Sequence, residues 1–159
     1  MNSNSKLIDF LREQAKIEKE IIDSINKSVF HLENPPVKGV LEGIALDSLK
    51  HSKMYESSVM LLTRVSKALT QEDLERQKTI VEKHLKIELE LIEKIGKVLP
   101  TVENKKVKLL LKAILSDVRR HHQLLKDILE ILVEGETLTE ADWWDMIWKD
   151  SPYHGGSGG

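Results

Sequence analysis

The chain has 159 residues, about 40% of them hydrophobic and 31% charged, with 24 basic and 26 acidic residues for a formal net charge of −2. That length suits one core. The even spread of charge, without a basic block, argues against nucleic acid or an anionic membrane surface as a partner. Cysteine is absent, which excludes disulfides, thiolate zinc sites, iron–sulfur clusters and cysteine nucleophiles. No apolar run approaches the 18 or so residues of a membrane span, and the opening MNSNSKLIDF lacks the apolar stretch of a signal peptide. A cytoplasmic location is the expectation.

The sequence predicts helices throughout. Helix A is expected from about Ser5 to Leu32, ended by Asn34-Pro35-Pro36. Helix B follows from about Val37 to Leu69. Thr70 caps helix C, with Asp73 completing a variant of the capping box, and helix C ends near Leu99-Pro100. Helix D runs from about Glu103 to Val133 and stops at Gly135. A short fifth helix, Glu140 to Lys149, is capped by Thr139 and carries Trp143, Trp144 and Trp148. It is expected to dock on the bundle or on another subunit. The tail from Ser151 to Gly159 reads as flexible and includes His154. The domain plan is therefore a bundle over 1–134, a Trp-rich helix within 135–150 and a tail over 151–159.

The chain repeats itself. Residues 15–62 and 85–132 align without gaps at an offset of 70, and sixteen of the 48 positions are identical, where ordinary residue frequencies give roughly three by chance. Lys16-Ile17-Glu18 recurs as Lys86-Ile87-Glu88, Glu33-Asn34 as Glu103-Asn104, Val37-Lys38 as Val107-Lys108, Asp47 as Asp117 and His51 as His121. One hairpin cannot bury its apolar stripe alone, so two are expected to close into an all-α four-helix bundle. Helices of about 30 residues are roughly 45 Å long, and the short B–C link predicts an up-down-up-down order.

Steps of three and four residues mark the stripes expected to face the core. Helix A offers Leu11, Ala15, Glu18, Ile22, Ile25 and Val29, and helix C offers Val81, Leu85, Glu88, Ile92, Ile95 and Leu99. Helix B offers Val37, Val40, Ile44, Asp47, His51 and Met54; helix D offers Val107, Leu110, Ile114, Asp117, His121 and Leu124. Each stripe is apolar except near its middle. Taken singly, a Glu at such a position is usually a side chain reaching out to solvent, a His is usually a hydrogen-bonded core residue, and Asp-x-x-x-His is an ordinary one-turn pair. Taken together, six polar residues at one level and one repeat offset point to metal. Four buried carboxylates are prohibitive without compensation, two divalent cations balance them, and two imidazoles add nitrogen ligands. The ligand set expected is Glu18, Asp47, His51, Glu88, Asp117 and His121, holding two ions. Iron is expected first, with manganese or zinc as alternatives.

These residues resemble the ferritin-like superfamily, and rubrerythrin-type di-iron carboxylate bundles in particular, over about 15–132. The family places Glu on its first and third helices, matched by Glu18 and Glu88, and Asp-Glu-x-x-His on its second and fourth. Asp47-Ser48-Leu49-Lys50-His51 and Asp117-Val118-Arg119-Arg120-His121 match that motif with the bridging Glu replaced by Ser48 and Val118. The resemblance implies a non-haem di-metal oxidoreductase, peroxidase- or ferroxidase-like, that reacts with peroxide or dioxygen or oxidises Fe(II). Asp47 and Asp117 either join the ligands or stay behind them, hydrogen-bonded to a ligand His. Without the Cys-rich iron domain of rubrerythrins, redox activity implies an external electron donor. The family's second crossover is long and the link here is short, which a homodimer exchanging hairpins accommodates. Of the remaining residues, His84 and His122 are expected beside the stripes, and Tyr55 is expected to pack. The alternative function is a non-catalytic helical interaction or cargo module with a degenerate metal site.

Overall fold

The computed structural model describes residues 3–64 and 69–134. The expected short helix at 140–149, its tryptophans and the His154 tail lie outside the described residues. Within them the protein is all-α: α1 (Ser3–Val29), α2 (Pro35–Thr63), α3 (Gln71–Val98) and α4 (Lys105–Glu134), with a 3-10 turn at Leu99–Thr101. The chain divides into two compact units, Met1–Ser66 and Lys67–Gly159. In the first α1 packs against α2, and in the second α3 packs against α4. The four helices and the duplicated hairpin are those the sequence predicts.

Helix ends follow from local chemistry. Asn34 and Asn104, equivalent in the repeat, both cap a second helix of a hairpin: Asn34 Oδ1 accepts from the Val37 N–H at 3.2 Å, and Asn104 Oδ1 accepts from the N–H groups of Lys106 at 3.0 Å and Val107 at 3.2 Å. Pro35 and Pro36 begin α2 rather than merely ending α1, because the first helical turn needs no N–H donors of its own. Helix α1 stops at Val29, three residues short of the expected end, and Leu32 N–H bonds back to the Val29 carbonyl. At the start of α3 the Asp73 N–H donates to Thr70 Oγ1 at 3.1 Å, and the Thr70 hydroxyl donates to Asp73 Oδ2 at 2.8 Å, the capping arrangement read from the sequence. Helix α2 ends at Thr63, where Arg64 turns extended, six residues before the expected Leu69.

The seam inside each hairpin lies one residue away from the expected stripe on α2 and α4. The α1 stripe is as expected, with Ala15 and Val29 buried and Leu11, Ile22 and Ile25 half-buried. It meets Leu41, Ala45, Ser48, Ser52 and Tyr55 on α2, not Val40, Ile44, Asp47, His51 and Met54, which are exposed. In the second hairpin Leu111, Leu115, Val118, His122 and Leu125 form the α4 seam, while Val107, Leu110, Ile114 and Leu124 are exposed. Both helices carry two adjacent apolar stripes about 100° apart. The sequence pattern alone marks both and does not say which one faces the nearer helix.

The two seams are filled differently. The first uses small residues, and Ser52 is only 1% exposed, its hydroxyl donating to its own helix at the Leu49 carbonyl, 2.8 Å away. At the equivalent positions Ala15, Ala45, Ser48 and Ser52 become Leu85, Leu115, Val118 and His122 in the second hairpin. Leu74 and Val81 anchor that hairpin's core, with Leu85, Leu125, Ile128 and Leu129 packed around them. Ser52→Leu should overfill the first seam and destabilise by about 1–3 kcal/mol. Leu74→Ala should leave a cavity costing about 2–5 kcal/mol. Urea unfolding followed by circular dichroism measures both; a Ser52→Leu variant as stable as the parent would contradict a close-packed first seam.

Candidate metal-ligating residues

The six sequence-chosen residues fall into two equivalent pairs with two flanking aspartates. Glu18 on α1 and Glu88 on α3 sit on the seams, and each side chain is 16% exposed. Each faces a histidine from the partner helix of its own hairpin. Glu18 Oε1 is 3.2 Å from His51 Nδ1, and Glu88 Oε1 is 3.9 Å from His121 Nδ1. Leu85 and Val118 occupy in the second seam the places of Ala15 and Ser48 in the first. The histidines stand at the edge of the seams, 48% and 49% exposed.

Asp47 and Asp117 do not join the pairs. Each lies on the exposed stripe and meets a cation one turn on: Asp47 Oδ1 is 3.1 Å from Lys50 Nζ, and Asp117 Oδ1 is 3.8 Å from an Arg120 guanidinium nitrogen. Among the described residues no three of His, Asp and Glu converge on one point. Within each hairpin, then, Glu18 and Glu88 are mostly buried, while Asp47 and Asp117 lie on α2 and α4 stripes turned away from the seam. Exposed ion pairs of this kind contribute only about 0–1 kcal/mol, so the aspartates are held lightly.

Two buried polar atoms lack any hydrogen-bond partner among the described residues, Glu88 Oε2 and His122 Nδ1, and both belong to the second hairpin. The sequence reading placed His122 beside the stripe. It lies on the seam, in line with Leu115, Val118 and Leu125, and moving the α4 register by one residue is what finds it. His84 is exposed, as expected, and Tyr55 is half-buried in the first seam.

A further cross-link closes the first hairpin. Lys19 Nζ donates to Glu56 Oε1, and that hydrogen bond, with the charge of the same lysine and of Lys53, holds the Glu56 carboxyl below the usual carboxylate range.

No family model, no curated protein and no solved structure matches the chain. The reading of the site therefore stands on its residues. No helix among the described residues is long and apolar enough to cross a membrane.

A carboxyl whose folded pKa is depressed contributes stability above its unfolded pKa and loses it as pH falls through the folded value. Acidification from neutral pH should accordingly weaken the parent more than Glu56→Gln, by no more than about 1 kcal/mol for so exposed a pair. Urea midpoints of the two proteins at pH 7 and pH 3 read the difference, and parallel losses would show that Lys19–Glu56 makes no contribution.

Proposed function

We propose that this chain is a non-haem di-metal carboxylate protein, with iron as the first choice of metal, related in design to the ferritin-like bundles it resembles. The candidate ligands are Glu18, Asp47 and His51 in the first hairpin and Glu88, Asp117 and His121 in the second. The observation that carries the reading is the recurrence of one Glu–His pair, made across helices at equivalent positions of a repeat in which most other residues have diverged.

Three features favour a metal, although among the described residues no three of the candidate ligands converge on one point. Carboxylate oxygen with imidazole nitrogen is a donor set for iron, manganese and zinc. Two donors about 2.1 Å from one ion lie about 3.0 Å apart in adjacent octahedral positions and about 3.4 Å apart in tetrahedral ones; the Glu18–His51 separation of 3.2 Å falls in that range, and the Glu88–His121 separation of 3.9 Å lies beyond it. The buried, unpartnered Glu88 Oε2 is an acceptor in want of a cation. Asp47 and Asp117, each one turn before its His, are paired with Lys50 and Arg120, and would have to turn toward the Glu–His pairs to reach a metal there.

Bound iron supplies one-electron redox capacity and Lewis acidity. The protein's part is to hold it. Glu18 and Glu88 fix charge from the seams, where helix packing limits their movement, and His51 and His121 add neutral nitrogen from the rims. The reaction class proposed is reduction of peroxide or dioxygen, or oxidation of Fe(II), with electrons drawn from an external donor or from Fe(II) itself.

One set of observations favours the second reading, a helical interaction module with a degenerate site. Val37, Val40, Ile44 and Met54 on α2, and Val107, Leu110, Ile114 and Leu124 on α4, are exposed apolar side chains flanking the Asp and His residues, and exposed apolar patches mark interaction surfaces.

Metal analysis of protein purified without chelator separates the two. The di-metal reading expects close to two equivalents per chain, lost in the double variant His51→Ala, His121→Ala. Metal at a hundred times its dissociation constant stabilises by about 2.7 kcal/mol, so the parent should melt about 5–10 °C higher with Fe(II) or Mn(II) than without, and the variant should not respond. Metal near zero, with an unresponsive melting temperature, rejects the proposal in favour of the interaction module.

A further inference from the structure

Each hairpin keeps an apolar face that its own two helices do not cover. We propose that a second copy of this chain docks on these faces, hairpin against hairpin, to form a dimer. This docking is independent of the metal-binding reading above.

The face follows from the register of the helices. On α1, Phe10, Ile17 and Ile21 each stand one residue before Leu11, Glu18 and Ile22 of the seam. On α2, Val40, Ile44 and Met54 each stand one residue before Leu41, Ala45 and Tyr55. One residue is a turn of about 100°, in the same sense about each helix axis. The two helices of a hairpin run in opposite directions, so that turn carries both stripes to the same side of the hairpin. These six side chains are 38–54% exposed. In the second hairpin Ile80, Ile87 and Leu91 on α3, with Leu110, Ile114 and Leu124 on α4, hold the equivalent places and are 41–47% exposed.

Three observations point to a copy of the same chain as the occupant. All six positions of the face are apolar in both hairpins, while exposed positions off it have changed character: Arg12 recurs as Glu82, and Lys53 as Gln123. Two chains therefore bring together surfaces of one kind. The face also supplies its own charge complement, because Asp47 and His51 lie within the α2 stripe, one turn apart, and recur as Asp117 and His121 on α4. One antiparallel register of α2 on the partner's α4 sets Ile44 against the partner's Leu124, Asp47 against the partner's His121, His51 against the partner's Asp117 and Met54 against the partner's Ile114. Apolar meets apolar and carboxylate meets imidazole at every step, and twofold symmetry repeats the arrangement on the other pair of hairpins. The area suffices as well. The six side chains of one hairpin present on the order of 500 Å² of apolar surface, near the top of the roughly 300–600 Å² that a typical monomer leaves in its largest patch. The two faces of a chain together reach the roughly 800 Å² per partner that a standard stable interface buries.

Sedimentation equilibrium of the full chain at micromolar concentration reads the assembly, with EDTA present so that no metal bridges the copies. The parent should sediment at twice the 18.2 kDa of one chain. Ile44→Glu with Ile114→Glu puts a carboxylate into each face and should raise the dissociation constant at least about a hundredfold. Both residues are exposed within their own hairpins, so circular dichroism should still report the parent's helix content. Asp47→Lys with Asp117→Lys alters only solvated positions and should weaken the dimer about tenfold, which gives a second reading if the glutamate variant fails to fold. Leu46→Glu with Leu109→Glu is the control. Those side chains are more exposed still, 66% and 67%, but lie off the face, and their dimer should persist. A monomeric parent would overturn the proposal and leave the faces to some other occupant. A parent dimer that both face variants leave intact, or that the control disrupts equally, would overturn it too.

Discussion

The candidate site depends on the packing of the two helices within each hairpin, since each Glu meets its His across a seam, and the two seams differ in side-chain volume at four positions. Where they are Ala15, Ala45, Ser48 and Ser52, the facing Glu and His stand within hydrogen-bond reach; where they are Leu85, Leu115, Val118 and His122, the same pair stands 0.7 Å further apart, the difference between 3.9 and 3.2 Å. Interiors pack densely enough that a few methylenes at a seam are felt by the side chains beside them.

Duplication and divergence have acted on different atoms of this protein. The polar residues that could touch a metal recur at one offset: Glu18 with Glu88, Asp47 with Asp117, His51 with His121. The caps that position them recur as well, through Asn34 and Asn104. On the seams Ile22, Ile25 and Leu41 recur as Ile92, Ile95 and Leu111, while Ala15, Ala45, Ser48 and Ser52 have changed size and character.

Much of the fold was legible because its signals are local. The 70-residue offset, the Thr70 and Asn34 caps and the Pro35-Pro36 break all act through neighbours in sequence, and the structure places helix boundaries within a few residues of them. The end of α2 was missed because an apolar run continues past Thr63 and only the extended backbone at Arg64 marks the stop. That Glu18, His51, Glu88 and His121 lie near mid-helix was also legible, though not which Glu meets which His. The orientation of Asp47 and Asp117 was not. Helices α2 and α4 each present two apolar stripes side by side, Val40-Ile44 beside Leu41-Ala45 and Leu110-Ile114 beside Leu111-Leu115, and periodicity is blind to which of the two meets the neighbouring helix. His122 was hidden by the same ambiguity.

The hydroxyl of Ser52 turned back onto Leu49 has one more effect. Ser58 and Thr63 treat their own helix in the same way, bonding the carbonyls of Met54 and Val59. Because these groups are content within α2, they carry no instruction about where along α2 its neighbour must stop, and neither do the alanines beside them. Among the described residues the polar cross-links between α1 and α2 are Glu18–His51 and Lys19–Glu56, which join fixed levels of the two helices. The residues proposed to hold a metal are thus also among those that keep α1 from sliding against α2.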